Sequence, residues 1–545
     1  MKKIIAFIII LFIAVGASSW LYFRNLTATT NNATKILNTV PSNAALVFQY
    51  KNEAYFYDIF KKFTLFKDVL GVATFVQLAQ LKNILIDDAQ LYASVDKSDL
   101  FFSLHKTANN KADFLVLAPL AQSFLNQYST AKFLSLIKAK YTVNVNNFNS
   151  YEIYTVKLPS NKLFYFSLLQ SIIVGSFNLN LVEETILQQT VANKLKTNQF
   201  NAETDRNKNA IANLYLSFAK LPDFLNNFSK YKNPEYTAYL KNFTAYASLN
   251  INYQSDAFMF SGITTPDTTT LQYANIFLYQ QPGNLTLNRI IPLDAASYIS
   301  FYVSDMRLFQ SDLKLIFSQS DVFKKLKTQI NAIAKKHSIP IEQEFLKVLG
   351  NEFGQTQLAS GDKIGLISTN NSQRLAFLLS TISTPLSAKI ARFDDTNFVY
   401  YFLGEPFKIF GRPYFAMVSN YLIVANSVKA LNNFLAHYQQ QQLISTTANY
   451  NKFEQYLSNK GNIFYFLHNK NSKAIFKDFL SKNAYHNFKS EAFKFDNIYG
   501  LSIQFSADKN KFYTNLYLNK LPQQTKTPSL SDSLYLDSLT HQNKN

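Results

Sequence analysis

The chain has 545 residues, of which 47% are hydrophobic, so it can bury several cores and is too apolar for an intrinsically disordered protein. The absence of Cys excludes disulfides, thiolate catalysis, Cys-ligated zinc and anchoring through a lipid-modified cysteine. The net charge is +19, but Arg, the residue that nucleic-acid binders favour, supplies few of the 54 basic residues, which disfavours nucleic acid as a partner.

An apolar run at the N-terminus predicts a signal-anchor transmembrane helix over residues 1–24. The run follows Lys2 and Lys3 and extends from Ile4 to Phe23 without a charge, and a helix of this length spans roughly 30 Å, the thickness of bilayer hydrocarbon. The residues expected to contact the lipid or its interface are Ile4, Phe7, Ile10, Phe12, Trp20 and Tyr22. Because basic residues stay in the cytoplasm, the pattern predicts a single-pass protein of the inner (cytoplasmic) membrane, with its soluble domains on the periplasmic, extracytoplasmic side.

A cleaved signal peptide is the alternative, since Val15, Gly16 and Ala17 are small enough for a cleavage site. The apolar run continues past this point, which favours the uncleaved anchor. Residues 25–38 are rich in Thr and Asn and predict a flexible stalk.

The remaining sequence contains an internal repeat at an offset of about 250 residues. Pro41 and the pair Ala44-Ala45 precede an apolar strand, as Pro292 and the pair Ala295-Ala296 do in the second copy. Further short matches recur in the same order, such as Phe164-Tyr165-Phe166 with Tyr414-Phe415-Ala416. This collinear order predicts two tandem homologous domains, at residues 39–285 and 286–521, followed by a disordered tail at 522–545.

Each domain is predicted to be α+β, with an antiparallel sheet covered by amphipathic helices. Residues 141–145, 152–157 and 247–253 alternate apolar and polar side chains, as half-buried strands do. The stretch from Tyr55 to Leu70 spaces its Phe residues at helical intervals and predicts a helix with one apolar side.

A lysine-rich amphipathic helix is predicted from Asp321, as its N-cap, to His337. Its apolar stripe consists of Val322, Phe323, Leu326, Ile330 and Ile333. We favour docking of this stripe on a sheet, but an interfacial membrane helix has the same pattern. In that case the residues that contact lipid headgroups are Lys324, Lys325, Lys327 and Lys335.

No sequence pattern indicates a catalytic, metal-binding or cofactor-binding residue, and we expect no cofactor. The six His residues lack the spacing of helical metal-ligand pairs, and neither a Gly-x-Ser-x-Gly elbow nor a phosphate-binding Gly-rich loop occurs. The adjacent acids Asp87-Asp88, Glu183-Glu184 and Asp394-Asp395 are more typical of solvated loops or helix caps than of a converging pair.

The N-terminal anchor, the strand entry at Pro41 and Ala44-Ala45, the amphipathic helix after it and the two Cys-free α+β halves together resemble a group of uncharacterised bacterial envelope proteins, those with domain of unknown function 3352. The resemblance implies an exported, membrane-anchored protein. It implies no catalytic residue.

The leading functional hypothesis is a non-enzymatic interaction or structural module of the cell envelope. One alternative is the binding of a lipid or other apolar ligand in a cleft between the two repeats. Another is a hydrolase with an unrecognised acid-based site. The expected partners are the membrane, through the N-terminal helix, and an envelope protein or a lipid, with no nucleic acid.

Overall fold

The structure, a computed structural model, describes residues 33, 35–53, 88–106, 112–158, 161–191, 200, 210, 212–231, 242–254, 257–490 and 495–521. We call residues 33–266 the first half and residues 267–521 the second half. The predicted anchor, the predicted helix from Tyr55 to Leu70 and the predicted tail lie outside the described residues.

The strands of the described residues form one large antiparallel sheet and one small ribbon. The first half contributes β1 (Ala44–Lys51), β2 (Asp99–Lys106), β3 (Ala112–Pro119), β4 (Val143–Phe148), β5 (Tyr151–Lys157), β6 (Leu163–Leu169), β7 (Ile172–Ser176), β8 (Ala212–Ser217), β9 (Ala245–Gln254) and β10 (Ala257–Pro266). The second half contributes β11 (Gly283–Asn284), β12 (Ala295–Tyr302), β13 (Leu349–Leu358), β14 (Lys363–Thr369), β15 (Ser383–Pro385), β16 (Ala391–Phe393), β17 (Tyr414–Val418), β18 (Tyr421–Ala425), β19 (Lys460–Gly461), β20 (Ile463–His468), β21 (Ile498–Asp508) and β22 (Lys511–Lys520). The ribbon consists of β11 and β19, and the other strands belong to the large sheet.

The two halves arrange their strands in the same order. From the outer edge inward, the first half runs β4, β5, β6, β7, β3, β2, β1, β8, β9, β10. The second half runs β15, β16, β17, β18, β14, β13, β12, β20, β21, β22. The innermost strands β10 and β22 pair with each other, and the hydroxyls of Thr264 and Thr514 are 2.7 Å apart across this junction. The halves therefore join edge to edge.

The strand entries at Pro41 and Pro292 are built in the same way. The amide of Ala44 donates to the carbonyl of Pro41 at 3.0 Å, and the amide of Ala295 donates to that of Pro292 at 3.0 Å. Both strands then carry a register shift directly after this Ala. Because both Ala side chains are fully buried, a larger residue there has no space.

Helices cover the sheet, and the α+β prediction is confirmed. In the first half they are Ala89–Val95, Gln122–Leu125, Thr130–Lys140, Leu179–Val191 and Leu221–Asn226. In the second half they are Met306–Ser318, Val322–His337, Ile341–Val348, Ser372–Thr381, Phe398–Leu403, Val428–Gln439, Ala448–Glu454, Lys473–Phe479 and Lys482–Lys489.

The largest hydrophobic core crosses the junction between the halves. Leu216 and Leu249 of the first half belong to the same cluster of buried side chains as Phe345, Phe505 and Phe512 of the second half. Burial of each large apolar side chain stabilises the fold by about 1.5–3 kcal/mol. A core that is shared in this way makes the two halves interdependent in stability.

The helix Val322–His337 buries the predicted stripe, with Leu326, Ile330 and Ile333 in the shared core. Asp321 is the N-cap residue of this helix, as predicted, but its backbone is already helical and its carboxylate accepts no cap hydrogen bond. The hydroxyl of Ser320 accepts a hydrogen bond from the amide of Val322 at 3.4 Å, and burial of the stripe holds the helix on the core.

The carboxylate of Glu342 ties several helices of the second half together. It forms ion pairs with Lys314, at 2.9 Å, and with Lys327, and it accepts a hydrogen bond from the hydroxyl of Tyr401 at 2.9 Å. Burial alone raises the pKa of Glu342, but these hydrogen bonds outweigh it and lower the pKa to about 2. Glu342 is therefore a structural anion.

The predicted flexible stalk at 25–38 is wrong for its last residues. Residues 35–39 are helical, and Ile36 and Leu37 are buried in a core of the first half together with Val174 and Val182. Apolar side chains interrupt the Thr- and Asn-rich composition here, and their burial holds this segment against the sheet.

The segment before the predicted domain boundary at 285/286 already packs on the second half. The short helix Tyr273–Phe277 places Phe277 in the shared core, and the hydroxyl of Tyr273 donates to the carbonyl of Leu403 at 2.5 Å. The connection between the halves is therefore a packed part of the second half from Tyr273 onward.

Candidate functional site

A polar cavity lies in the second half, between the sheet and the helix Ala448–Glu454. Its volume is about 40 Å³. The residues that line it are Leu285, Leu287, Asn288, Tyr298, Ser300, Glu352, Tyr450, Glu454, Leu457, Ser458, Asn459 and Phe464. The cavity thus brings together two carboxylates and two phenols from β12, β13 and a helix about 100 residues further along the chain.

Glu352 is the most buried acid of this cavity, with 4% of its surface exposed. Its carboxylate accepts hydrogen bonds from the amide and hydroxyl of Thr286, at 2.8 and 2.7 Å, from the amide of Leu287 at 3.2 Å and from the hydroxyl of Ser300 at 2.5 Å. Burial raises the pKa of Glu352, while these donors oppose the shift. Both of its oxygens are therefore occupied in holding the short helix Leu287–Ile290 against the sheet.

Glu454 is the second acid, and it is only half-buried. One of its oxygens accepts a hydrogen bond from the side-chain amide of Asn288 at 2.5 Å. Burial raises the pKa of Glu454, and the positive charge of Arg289 opposes the shift. This carboxylate has more freedom than that of Glu352.

Tyr298 and Tyr450 join their hydroxyls at 2.5 Å at the inner end of the cavity. Both side chains are fully buried, and burial raises the pKa of each phenol. The two tyrosines are therefore neutral at physiological pH. One of the two hydroxyls donates a hydrogen bond to the other, and neither phenol can act as a base.

The hydrolase alternative would place its acid–base pair at Glu352 and Glu454. A volume of about 40 Å³ holds one water or a few and leaves no space for a sugar or peptide substrate. The two oxygens of Glu352 also accept hydrogen bonds from four protein donors. The polar groups that line this cavity therefore form a buried structural network. Such a network favours one geometry of the core, and within the described residues the side-chain oxygen of Asn288 is the member of this cavity that is buried without a hydrogen-bond partner.

A second polar network surrounds His105 in the first half. The Nδ1 atom of His105 lies 2.7 Å from Oδ1 of Asn43, and Nε2 lies 2.7 Å from the hydroxyl of Ser103. The side-chain nitrogen of Asn43 donates a hydrogen bond to the carboxylate of Glu184 at 3.2 Å, so the side-chain oxygen of Asn43 faces the imidazole. The proton of the neutral ring is therefore on Nδ1, and Ser103 donates to Nε2.

The hydrogen bonds from Ser103 to His105 and from His105 to Asn43 run in the same direction as those of a nucleophile and its base, but these residues are not accessible to a substrate. Ser103 and His105 are both 0% exposed. Burial lowers the pKa of His105 to about 3, so the ring is neutral in the folded protein. The network therefore satisfies buried polar groups and offers no attacking group to a substrate.

The corresponding place in the second half holds a different pair. Asp294 occupies the position of Asn43 in the strand entry, and its carboxylate lies 3.7 Å from Nε2 of His437. Burial raises the pKa of Asp294, although the imidazole opposes the shift. The two strand entries thus share their backbone geometry and differ in the polar groups that hold them.

The four lysines predicted as possible membrane-surface contacts lie in two different environments. Lys327 is half-buried in its ion pair with Glu342, whereas Lys324, Lys325 and Lys335 are exposed. The predicted anchor residues, from Ile4 to Tyr22, lie outside the described residues. None of the helices in the described part of the chain has both the length and the apolar character that a membrane span needs.

The sequence-based prediction missed Glu352, Glu454, Tyr298 and Tyr450. They come from elements far apart in the chain, so no spacing rule finds them. The one available signal was Glu352 itself, an acid within a strand whose other residues are mostly apolar or neutral. Within the described ranges, no group of three or more His, Asp and Glu residues could hold a metal ion.

We compared the chain with protein-family profiles, with curated proteins and with solved structures, and found no match in any of the three.

Proposed function

We propose that this chain is a membrane-anchored protein of the cell envelope that acts by protein contact and not by catalysis. The uncharged run from Ile4 to Phe23 after Lys2 and Lys3 supports the anchor and the extracytoplasmic orientation. The full use of Glu352 in structural hydrogen bonds supports a role without catalysis. Membership of the envelope proteins with domain of unknown function 3352 is part of this proposal.

We also propose that the two halves arose by duplication. The common strand order and the matching hydrogen bonds at Ala44 and Ala295 support it. The hairpins β6–β7 and β17–β18 support it too, since each turns at a non-glycine residue with positive φ, Gln170 and Ser419. Edge-to-edge pairing of the copies produces a long sheet with two outer edges, and a protein that acts by contact can use such edges.

The observation that carries the interaction role is the outer edge strand β4. Among the described residues, β4 pairs on one side only, with β5. Its six residues, Val-Asn-Val-Asn-Asn-Phe, contain neither a charge nor a proline, and its four central side chains are exposed. Proteins usually protect edge strands with Lys, Pro or a very short length. The opposite edge strand β15 has this protection, because it is three residues long and ends at Pro385.

The hairpin geometry determines which backbone groups of β4 point outward. The connecting residues Asn149 and Ser150 both have positive φ, which is typical of a two-residue type I′ turn. The flanking pair Phe148 and Tyr151 then exchanges hydrogen bonds, so Val145, at a non-hydrogen-bonded position, directs its N–H and C=O away from β5. These outward groups are available to an added strand.

The partner that fits this edge is an extended segment of another envelope protein with a net negative charge. Strand addition draws its affinity from backbone hydrogen bonds, so the partner needs an extended conformation more than a particular sequence. The net charge of +19 opposes pairing with a second copy of the chain and favours an acidic partner.

The first experiment tests the edge by photocrosslinking in cells. A photoreactive amino acid at the exposed Asn146 is expected to capture a polypeptide whose crosslinked segment, mapped by mass spectrometry, is acidic and extended. Val145→Pro removes an outward N–H without breaking the ladder to β5 and is expected to reduce the crosslink at least tenfold. Val145→Thr keeps the N–H and is the matched control.

Three outcomes would contradict this proposal. They are a crosslink that Val145→Pro leaves unchanged, a crosslink only to a second copy of this chain, and the absence of any protein crosslink. Thermal unfolding of each variant shows whether the hairpin is intact, because Val145→Pro should leave the melting temperature nearly unchanged.

The second experiment tests the anchor and its orientation. The full chain is expected to remain with the membrane pellet after carbonate washing and to be released by detergent. Protease added to the outer side of the membrane should digest residues 33–521 in spheroplasts. If the intact chain is recovered from the soluble cytosolic fraction and is protected from that protease, the proposed membrane anchor and its orientation are wrong.

A further inference from the structure

A row of uncharged polar side chains crosses the junction between the two halves on one face of the large sheet. Strand registers place one residue from each of six neighbouring strands, β1, β8, β9, β10, β22 and β21, directly opposite the next. Residues that lie opposite each other in antiparallel strands direct their side chains to the same face. The polar row consists, in this order, of Gln49, Asn213, Asn250, Ser261, Asn515 and Gln504.

The polar row is closed at its ends and open in its middle. Gln49 and Gln504 are buried, and they pair outward with Phe101 and Phe464, which are buried too. The four residues between them are partly exposed, namely Asn213, Asn250, Ser261 and Asn515. Because neighbouring strands lie about 4.8 Å apart, this accessible part of the row spans roughly 14 Å.

Both halves supply residues to the row, so it exists because the halves join edge to edge. Ser261 and Asn515 face each other across the junction and hold equivalent positions, each four residues after the first residue of its strand. Asn and Ser are depleted in strands, where β-branched and aromatic side chains pack better. Sheet stability therefore gives no reason for four such residues side by side.

Further uncharged side chains flank the row on the same face. Two positions along the strands from Ser261 and Asn515, Ile263 pairs with Tyr513 on one side and Met259 pairs with Tyr517 on the other. The ring of Tyr513 is 46% exposed and lies next to the open part of the row. The paired residues on β9 and β21 are Ser248, Asn252, Ser502 and Ser506. These flanking residues carry no charge, although the chain contains 54 basic residues.

The chemistry of these side chains restricts the class of ligand. An anionic ligand, such as a lipid headgroup or an acidic polypeptide, is bound by Lys or Arg, and the residues of the row and its flanks include neither. An acyl chain would bury the amides without hydrogen bonds, which is costly. A side-chain amide contains both a donor and an acceptor, as a sugar hydroxyl does, so the row matches a neutral sugar chain. In an extended β-1,4-linked chain, one sugar residue also advances by about the distance between neighbouring strands.

We propose that the polar row binds a neutral, extended β-1,4-linked glycan. The amides of Asn250 and Asn515 exchange hydrogen bonds with sugar hydroxyls, and the exposed ring of Tyr513 packs on the apolar face of a sugar ring. The accessible part of the row holds about three sugar residues. The site lies on a sheet face and does not depend on strand addition at the β4 edge.

The test titrates chitotetraose, an uncharged β-1,4-linked tetrasaccharide, into the full chain in lipid nanodiscs. Binding is followed through the methyl resonances of Met259 and Ile263, which flank the row, and we expect saturable shifts for the wild type. The double substitution Asn250→Val and Asn515→Val removes two amides and installs residues that favour strands. We expect it to weaken binding at least tenfold with an unchanged or higher melting temperature.

Matched substitutions separate the row from exposed polar strands in general. Asn146→Val makes the same change on β4, outside the row, and should leave the affinity for chitotetraose unchanged. Tyr513→Phe keeps the aromatic ring and should bind within about twofold of the wild type, whereas Tyr513→Ala should bind at least fivefold more weakly. Because Val145→Pro changes only β4, it should not affect glycan binding, so this proposal and strand addition at β4 can fail separately.

Four outcomes would overturn the proposal. Two are the absence of chitotetraose binding to the wild type and equal binding to the double variant. The third is tighter binding of polyglutamate than of chitotetraose that the double variant loses, which would assign the row to an acidic polypeptide. The fourth is self-association of the wild type that the double variant loses, since the row would then bind a second copy of the chain.

Discussion

Acidification from pH 7 to pH 4 is expected to destabilise the wild-type protein more than a variant with His105→Gln. The folded protein holds His105 neutral with a pKa of about 3, whereas an unfolded His has a pKa of about 6.5. Below pH 6.5 the proton therefore binds preferentially to the unfolded state, and stability is lost as the pH falls toward the folded pKa. For this single group the loss at pH 4 is about 3 kcal/mol.

Urea unfolding at pH 7, 5 and 4 measures this difference. At pH 7 the variant should be less stable, by about 1–2 kcal/mol, because Gln replaces the hydrogen bonds to Asn43 and Ser103 imperfectly. At pH 4 the two proteins should converge, or the variant should become the more stable one. His105 pairs with Ala44 as Leu358 pairs with Ala295 in the second half, so His105→Leu installs the residue of the second half and should show the same weak pH dependence. Parallel curves for all three proteins would mean that His105 is not held neutral.

Truncation of Glu352 to Ala is expected to cost about 3–5 kcal/mol of unfolding free energy. The change leaves the amide and hydroxyl of Thr286, the amide of Leu287 and the hydroxyl of Ser300 without their acceptor in a buried place. Each unsatisfied buried group costs about 1–3 kcal/mol before the structure relaxes. The helix Leu287–Ile290 should be the first part to loosen.

Matched substitutions show whether the loss of stability comes from the hydrogen bonds of Glu352 or from a change in the polarity of the cavity in general. Glu352→Gln keeps the shape but points an amide donor at other donors, so we expect a loss of about 2 kcal/mol. Glu454→Gln changes a carboxylate that accepts one side-chain hydrogen bond, from Asn288, and should cost less than about 1 kcal/mol. Hydrogen exchange of the amides of Thr286 and Leu287 gives the local readout. Similar losses for the two Gln variants would show that Glu352 has no special structural role.

Local sequence patterns predicted the antiparallel strands and the amphipathic helices well where one face is buried. The alternation of Leu249 and Ile251 and the stripe of Leu326, Ile330 and Ile333 are examples, because periodic burial leaves a direct trace in the order of residues. The same patterns failed at residues 35–38, where Ile36 and Leu37 are too few to make a period. Composition alone indicated a stalk there.

The sequence by itself determined the α+β class and the expectation of a repeat, since both rest on periodicity and on collinear short matches. Only the tertiary structure decided that the halves join through β10 and β22 and that Glu352 and Tyr450 meet in one cavity. The physical reason is distance along the chain. Contacts between residues 100 or more positions apart depend on how sheets pair and pack, and that pairing leaves no periodic signal in the local sequence.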